Sequence, residues 1–247
     1  MKAMILAAGL GTRLRPLTND RPKALVEIDG RTLLEITLSR LRSFGIHDVI
    51  INAHHFADMV VEYLKANDNF GMRIEVSREE ALLDTGGGLK KAAYFFEDSS
   101  RSKEPFIVHN VDVLSTIDLQ RMIQFHNDNQ ALATLAVQDR KTSRYLLFDD
   151  QLRLCGRRTG SDPAELVGGR QPAQALAFSG IHVVSARLLA MLSEEGAFSI
   201  INSYLRLAAK GTEILAFRAD EYYWRDLGRS ENVTQAAQDL KQGIIKL

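Results

Sequence analysis

The sequence predicts an α/β protein built on a mixed, mainly parallel sheet flanked by helices. Three observations carry that expectation. Short apolar runs at residues 4–7, 49–51, 74–76 and 106–108 are bounded by polar residues and do not alternate, as strands buried on both faces should not. Amphipathic stretches separate them, giving the order strand, helix, strand, helix, strand, helix, strand. After about residue 131 the alternation breaks. That break argues against an eightfold barrel and for a single domain, residues 1–247, made of parts 1–130 and 131–247.

The first apolar stretch, residues 3–8, follows one lysine and runs straight into Gly9, Gly11, Arg13 and Arg15. It is too short for a secretory signal and lacks a small-residue cleavage site, so it is expected to be a buried strand. Thr32 and Glu35 form a candidate capping box, Leu34, Leu38 and Leu41 make one stripe, and Gly45 stands where a helix would stop. Phe56, Met59, Val60, Tyr63 and Leu64 mark a second helix, and a third begins near Gly86, Gly87 and Gly88. Farther on, runs at 133–137 and 145–148 predict strands, and Asp149 and Asp150 turn the latter into a strand at 152–155. Residues 156–172, rich in Gly, Pro and Arg, predict a loop or flap. A strand at 177–184, helices at 186–192 and 200–209, a strand at 213–217 and a closing helix at 229–240 complete the expectation.

Composition narrows the function classes. The 247 residues carry 31 Lys plus Arg against 31 Asp plus Glu, so no overall charge draws the chain to nucleic acid. With 45% apolar and 25% charged residues it is an ordinary globular composition. No stretch approaches the roughly 20 apolar residues of a membrane helix, so no membrane is expected. Cys155 is the single cysteine, which excludes an internal disulfide and a cysteine-rich zinc site. A cytoplasmic enzyme is the expectation.

Ligands of parallel sheets bind beyond the carboxyl ends of the strands, which points to the loops after the first and fourth strands. The first of these loops contains Ala8-Gly9-Leu10-Gly11-Thr12-Arg13-Leu14-Arg15, followed by Arg21-Pro22-Lys23. Glycines let backbone N–H groups approach an anion closely, and Arg13, Arg15, Arg21 and Lys23 put four cations within eleven positions. This is either a phosphate cradle or a glycine turn beside a solvated basic face. Leu14 stands where a dinucleotide-binding Gly is needed, and no Gly-Lys-Ser/Thr ends a P-loop. Taken singly, Asp112 is compatible with a loop cap and Asp226 with a pair to Arg225. The glycines at 86–88, each costing about 1 kcal/mol in a helix interior, mark either a close backbone approach or a plain loop before a helix. Ser179-Gly180 inside a strand can mark a bulge. Histidines 47, 54, 55, 109, 126 and 182 show no metal-ligand spacing beyond the adjacent His54 and His55, and no Gly-x-Ser-x-Gly occurs. Trp224 is expected as a packing anchor beside Asp226.

Leu6-Ala7-Ala8-Gly9-x-Gly11-Thr12-Arg13-Leu14 with Pro22-Lys23 resembles the signature of the sugar-1-phosphate nucleotidylyltransferases. Four further matches follow in family order: Asp84-Thr85-Gly86-Gly87-Gly88, Val108-His109-Asn110-Val111-Asp112-Val113, Phe178-Ser179-Gly180-Ile181 and Trp224-Arg225-Asp226-Leu227-Gly228. The compact form is most similar to short bacterial members that use mannose 1-phosphate, a heptose 1-phosphate or N-acetylmuramate 1-phosphate. The resemblance implies a Rossmann-like sheet of the nucleotide-diphospho-sugar transferase type, with residues 1–130 binding nucleotide and 131–247 binding sugar. It implies a nucleoside triphosphate and a sugar 1-phosphate as substrates, a nucleotide sugar and pyrophosphate as products, and Mg²⁺ as cofactor. By resemblance Ala8, Gly9, Gly11, Thr12, Arg13, Thr85, Gly86 and Gly87 face the nucleotide, and Asn110, Ser179 and Gly180 face the sugar. Arg13 would hold the leaving pyrophosphate, Lys23 the reacting phosphates, and Asp112 and Asp226 the metal, making Arg13, Lys23 and Asp112 the catalytic set.

In that reaction the attacking group is already an anion and needs no general base. Catalysis rests on aligning two polyphosphates that repel and on neutralising charge. Two unit charges 4 Å apart interact by about 4 kcal/mol at an effective dielectric near 20, so a few fixed cations decide whether the reactants approach. The chain departs from the family in two places. Asn110-Val111-Asp112 stands where Asn-Gly-Asp is common, and no mid-chain Phe-x-Glu-Lys-Pro occurs. Cys155-Gly156-Arg157-Arg158 and then Glu165 stand there instead, with Arg157 or Arg158 either supplying a cation or lying in a solvated loop. The alternatives are a nucleotide or nucleotide-sugar binding protein without turnover, and a glycosyltransferase of similar architecture, for which no Asp-x-Asp is present.

Overall fold

A computed structural model describes residues 1–96 and 104–245. Its strands are β1 (Lys2–Leu6), β2 (Glu27–Ile28), β3 (Arg31–Thr32), β4 (Asp48–Ala53), β5 (Arg73–Arg78), β6 (Phe106–Asn110), β7 (Val113–Ser115), β8 (Ala133–Gln138), β9 (Arg144–Phe148), β10 (Leu154–Thr159), β11 (Glu165–Leu166), β12 (Gln174–Val184), β13 (Ile214–Arg218) and β14 (Trp224–Asp226). The helices are α1 (Leu33–Ser43), α2 (Ala57–Ala66), α3 (Asp84–Lys91), α4 (Leu119–Asp128), α5 (Ile200–Ala209) and α6 (Ser230–Lys241).

The large sheet runs β11-β10-β9-β12-β6-β1-β4-β5, and β8 with β13 branches from β12. The strands β6, β1, β4 and β5 are mutually parallel, so their carboxyl ends open on one edge. The long β12 returns antiparallel to β6, β8 and β9 and joins the two parts of the chain into one sheet. Two apolar clusters fill the faces, one around Ile5, Ile51 and Ile107, the other around Met4, Ile50 and Val108. That division follows from strand geometry, since successive side chains point to opposite faces.

Most expected elements are present with shifted ends. Thr32 accepts the Glu35 N–H at 3.0 Å and caps α1, but the Glu35 carboxylate turns to Arg31, so only half of the capping box forms. The flap expected at 156–172 is corrected: β10 continues to Thr159 and pairs with β9 and the short β11. The helix expected at 186–192 is a 3-10 turn, Ala186–Met191. Three features were not expected: α4, capped by Asp118, and the two-stranded ribbons β2/β3 and β7/β14. Among the described residues no helix is long and apolar enough to cross a membrane.

Three of the six histidines, His109, His126 and His182, lie in the core. Burial, reinforced by the charge of Arg40, pulls His109 down to about 4. Burial, with Arg187, pulls His126 down to about 4, and its ring nitrogens meet Thr134 and Ser185 at 3.0 Å. Burial, with His109, pulls His182 down to about 3. All three lie below the ordinary value near 6.5, so the unfolded chain binds more protons beneath that pH and stability falls as acid is added. The melting temperature is therefore expected to drop as pH falls from about 6.5 toward 4, and to drop less in His109→Leu. Parallel pH profiles for the two proteins would remove His109 from this account.

Candidate active site

The loop after β1 is anchored from below. The Ala7 N–H donates to Asn52 Oδ1 at 2.8 Å, Asn52 Nδ2 donates to Glu79 Oε1 at 2.7 Å, and Glu79 Oε2 accepts the Leu83 N–H at 3.0 Å. This network ties the loops that follow β1 and β5 to the carboxyl end of β4. Gly88 supplies the room for it, since a Cβ there would lie 2.7 Å from Asn52 Nδ2 and 2.8 Å from Glu79 Oε1.

Two cavities open along the carboxyl edge. The first, about 460 Å³, is lined by Ala8, Gly9, Lys23, Asn52, Asp84, Thr85, Asn110 and Asp112. The second, about 440 Å³, is lined by Asn110, Asp112, Ser179, Gly180, Trp224 and Asp226, and also by Arg140, Arg144 and Arg157. They share Asn110 and Asp112. The short ribbon explains why Asp226 joins them: it pairs with Val113 across β7/β14, and the Leu227 N–H donates to the Asp112 carbonyl at 2.7 Å. Arg225 instead binds Asp239 at 2.8 Å, so the alternative Arg225–Asp226 pair does not form. The Asp226 carboxylate is held by the Gly228 N–H at 2.6 Å.

Lys23 forms an ion pair with Asp112, with both side chains less than a fifth exposed. Arg13 is exposed and reaches over Gly228, where a Cβ would lie 2.8 Å from its Nη2 and 2.7 Å from Asp226 Oδ1. Gly11 has the left-handed φ of 65° and lies against Thr18 and Lys23, so its role is to shape the turn. Thr12 is exposed beside it and, like Gly11 and Arg13, is not in the wall of either cavity.

Gly86 and Gly87 line neither cavity. Both are buried in α3, and their N–H groups donate to the Phe198 carbonyl at 2.8 and 3.3 Å. Their missing side chains make room for residues 196–198 of this chain. Thr85 lines the first cavity while its hydroxyl accepts the Ile200 N–H at 3.0 Å. Ser179 is fully buried, and its carbonyl accepts Trp224 Nε1 at 2.7 Å. Arg157 lines the second cavity but is engaged by Glu165 at 2.6 Å and Asn202 at 2.7 Å. Arg158 instead stacks on Tyr145 at 5.3 Å. Sequence reasoning missed Asn52, Asp84 and Arg140. Asn52 lies in β4 and Arg140 two residues past β8, both at carboxyl ends of strands, which was the usable signal.

Val111 is 3% exposed and donates its N–H to the Leu6 carbonyl at 3.1 Å. Removing a buried Val side chain costs about 1.5–3 kcal/mol of apolar burial. Val111→Gly is therefore expected to melt lower yet keep its catalytic rate within a few-fold, because the backbone contact that holds the loop remains. A folded but inactive variant would show that the Val111 side chain itself shapes the site.

Comparison with known proteins places the chain in context. Residues 2–149 match the family model described as nucleotidyl transferase. The N-acetylmuramate α-1-phosphate uridylyltransferase of Caulobacter vibrioides is 33% identical over 235 residues, covering 92% of this chain and 91% of the relative. The mannose-1-phosphate guanylyltransferase of Mycobacterium tuberculosis is 28% identical over 248 residues, covering 98% of this chain but 65% of its own length. In fold, the inositol-1-phosphate CTP transferase from T. maritima matches with a TM-score of 0.77 at 16% identity, over 99% of this chain and 98% of that one.

Proposed function

The chain belongs to the nucleotidyl transferase family, and from that premise we propose that it joins a nucleoside triphosphate to a sugar 1-phosphate, releasing a nucleotide sugar and pyrophosphate. The observation that supports this reading is the meeting of two cavities at Asn110 and Asp112. One cavity carries the glycine-loop residues Ala8 and Gly9 with Thr85, the other the strand residues Ser179 and Gly180. A phosphate oxygen of the sugar 1-phosphate attacks the α-phosphorus of the triphosphate, and the bond to the leaving pyrophosphate breaks. No proton has to be removed. Lys23, beside Asp112, supplies positive charge where the two substrates meet, and Arg13, over Gly228, supplies it at the outer end.

Asp112 and Asp226 fit Mg²⁺ as two hard oxygen donors on one cavity wall. Among the described residues no group of three or more metal-ligating side chains exists, so substrate phosphates and water would complete the shell. When bound, Mg²⁺ would neutralise phosphate charge. The test is a matrix of UTP, GTP, CTP and ATP against N-acetylmuramate, mannose, glucose and heptose 1-phosphates, read as pyrophosphate release. Release with at least one pair supports the reaction. Binding without release in every pair would leave a silent binding protein.

A further inference from the structure

Arg140 stands apart from the other cations of the second cavity. Its guanidinium lies 3.6 Å from the centre of the Trp224 ring, and Nη2 donates to the Phe178 carbonyl at 2.7 Å. Its Nε is buried without a hydrogen-bond partner, and among the described residues no carboxylate forms an ion pair with it. Burial lowers its pKa from the usual arginine range, against the opposing pull of Asp226. Arg157, by contrast, is neutralised by Glu165. A partly buried cation without an ion-pair partner carries a desolvation cost, and an arriving anion relieves it.

The fold holds this side chain deliberately in place. The pairing of β12 with β8 slips between Phe178 and His182, and Gly180 takes a φ of 75°. The slip frees the Phe178 carbonyl for Arg140 and the Ser179 carbonyl for Trp224, so guanidinium and indole are fixed as a stack. Trp224 and Asp226 are two residues apart on β14 and share a face, about 7 Å apart along the strand. The cation therefore sits one step from the aspartates, where the phosphate must come, rather than at the distant sugar wall.

We propose that Arg140 binds the phosphate of the sugar 1-phosphate, a role that no lysine motif fills in the middle of this chain. The assignment rests on the reaction proposed above for the identity of the ligand. A phosphate approaching Asp112 and Asp226 meets like charge, and a guanidinium held on Trp224 in the same cavity offsets it with charge-assisted N–H donors.

Calorimetric titration tests this. Mannose 1-phosphate, N-acetylmuramate 1-phosphate and their phosphate-free sugars are titrated into wild type, Arg140→Met and Arg140→Lys, each with Mg²⁺ and α,β-methylene analogues of the four triphosphates. Arg140→Met keeps an apolar stem over Trp224, and melting temperatures check that both variants are folded. Wild type should prefer at least one phosphorylated sugar over its free form. Arg140→Met should shrink that preference by about tenfold or more while leaving free-sugar affinity unchanged, and Arg140→Lys should restore part of it. Equal loss for both forms, an unchanged preference, or a wild type with no preference would overturn the assignment. The expected binding pattern together with no pyrophosphate release would support Arg140 and count against the reaction.

Discussion

Replacing either Asp112 or Asp226 with Asn is expected to lower pyrophosphate release by about 10²–10³-fold, the scale on which losing one group that stabilises transition-state charge acts. Asn keeps the size and much of the hydrogen bonding, so the Gly228 N–H that holds Asp226 still finds an oxygen. Only charge is lost. Activity should recover in part as Mg²⁺ is raised, and the melting temperature should change little. Because a two-carboxylate site needs phosphate oxygens to complete it, Mg²⁺ should bind the free protein weakly and its nucleotide complex more tightly. Titrating Mg²⁺ with and without nucleotide, in wild type and both variants, decides the matter. Full activity in EDTA, or a wild-type metal response in either variant, would remove the pair from the mechanism.

Lys23→Ala is expected to cost at least about tenfold in turnover, about 1.4 kcal/mol on the barrier, and Arg13→Ala likewise. The ion pair between Lys23 and Asp112 sharpens the first case. Removing the ammonium leaves Asp112 without its partner cation, so apparent Mg²⁺ affinity should rise while the maximal rate falls. A structural lysine would instead lower the melting temperature and leave the rate per folded molecule unchanged. Unchanged pyrophosphate release by either well-folded alanine variant would discard that residue.

The parallel half of the sheet was legible because its strands are buried on both faces and so appear as unbroken apolar runs, as at 49–51 and 106–108. The antiparallel half was less so. Residues 156–159 contain Gly and two Arg, yet they form a strand because β9 and β11 supply hydrogen-bond partners on both sides. Composition cannot show a partner distant in sequence. The three residues of β7 and three of β14 are likewise too short for any periodicity, although their pairing is what brings Asp226 to Asp112. In the site, motif residues such as Lys23, Asn110 and Asp112 fell on the cavity walls, whereas Gly86 and Gly87 did not. A glycine announces that something comes close without saying what, and here it is Phe198. Arg140 belongs to no motif, and its importance lies in a missing counter-ion, which only three dimensions reveal.

The seam between α3 and residues 196–198 also ties the earlier part of the chain to the later one. The Gly86 amide from the earlier part is bonded to the Phe198 carbonyl from the later part, and the Thr85 hydroxyl accepts the Ile200 N–H at the start of α5. Meanwhile β12 from the later part closes the flank of β6 from the earlier one. The early and late stretches of the chain thus share one mechanical joint. A side chain at position 86 would meet the Phe198 ring and part the two stretches, so the joint depends on glycine there.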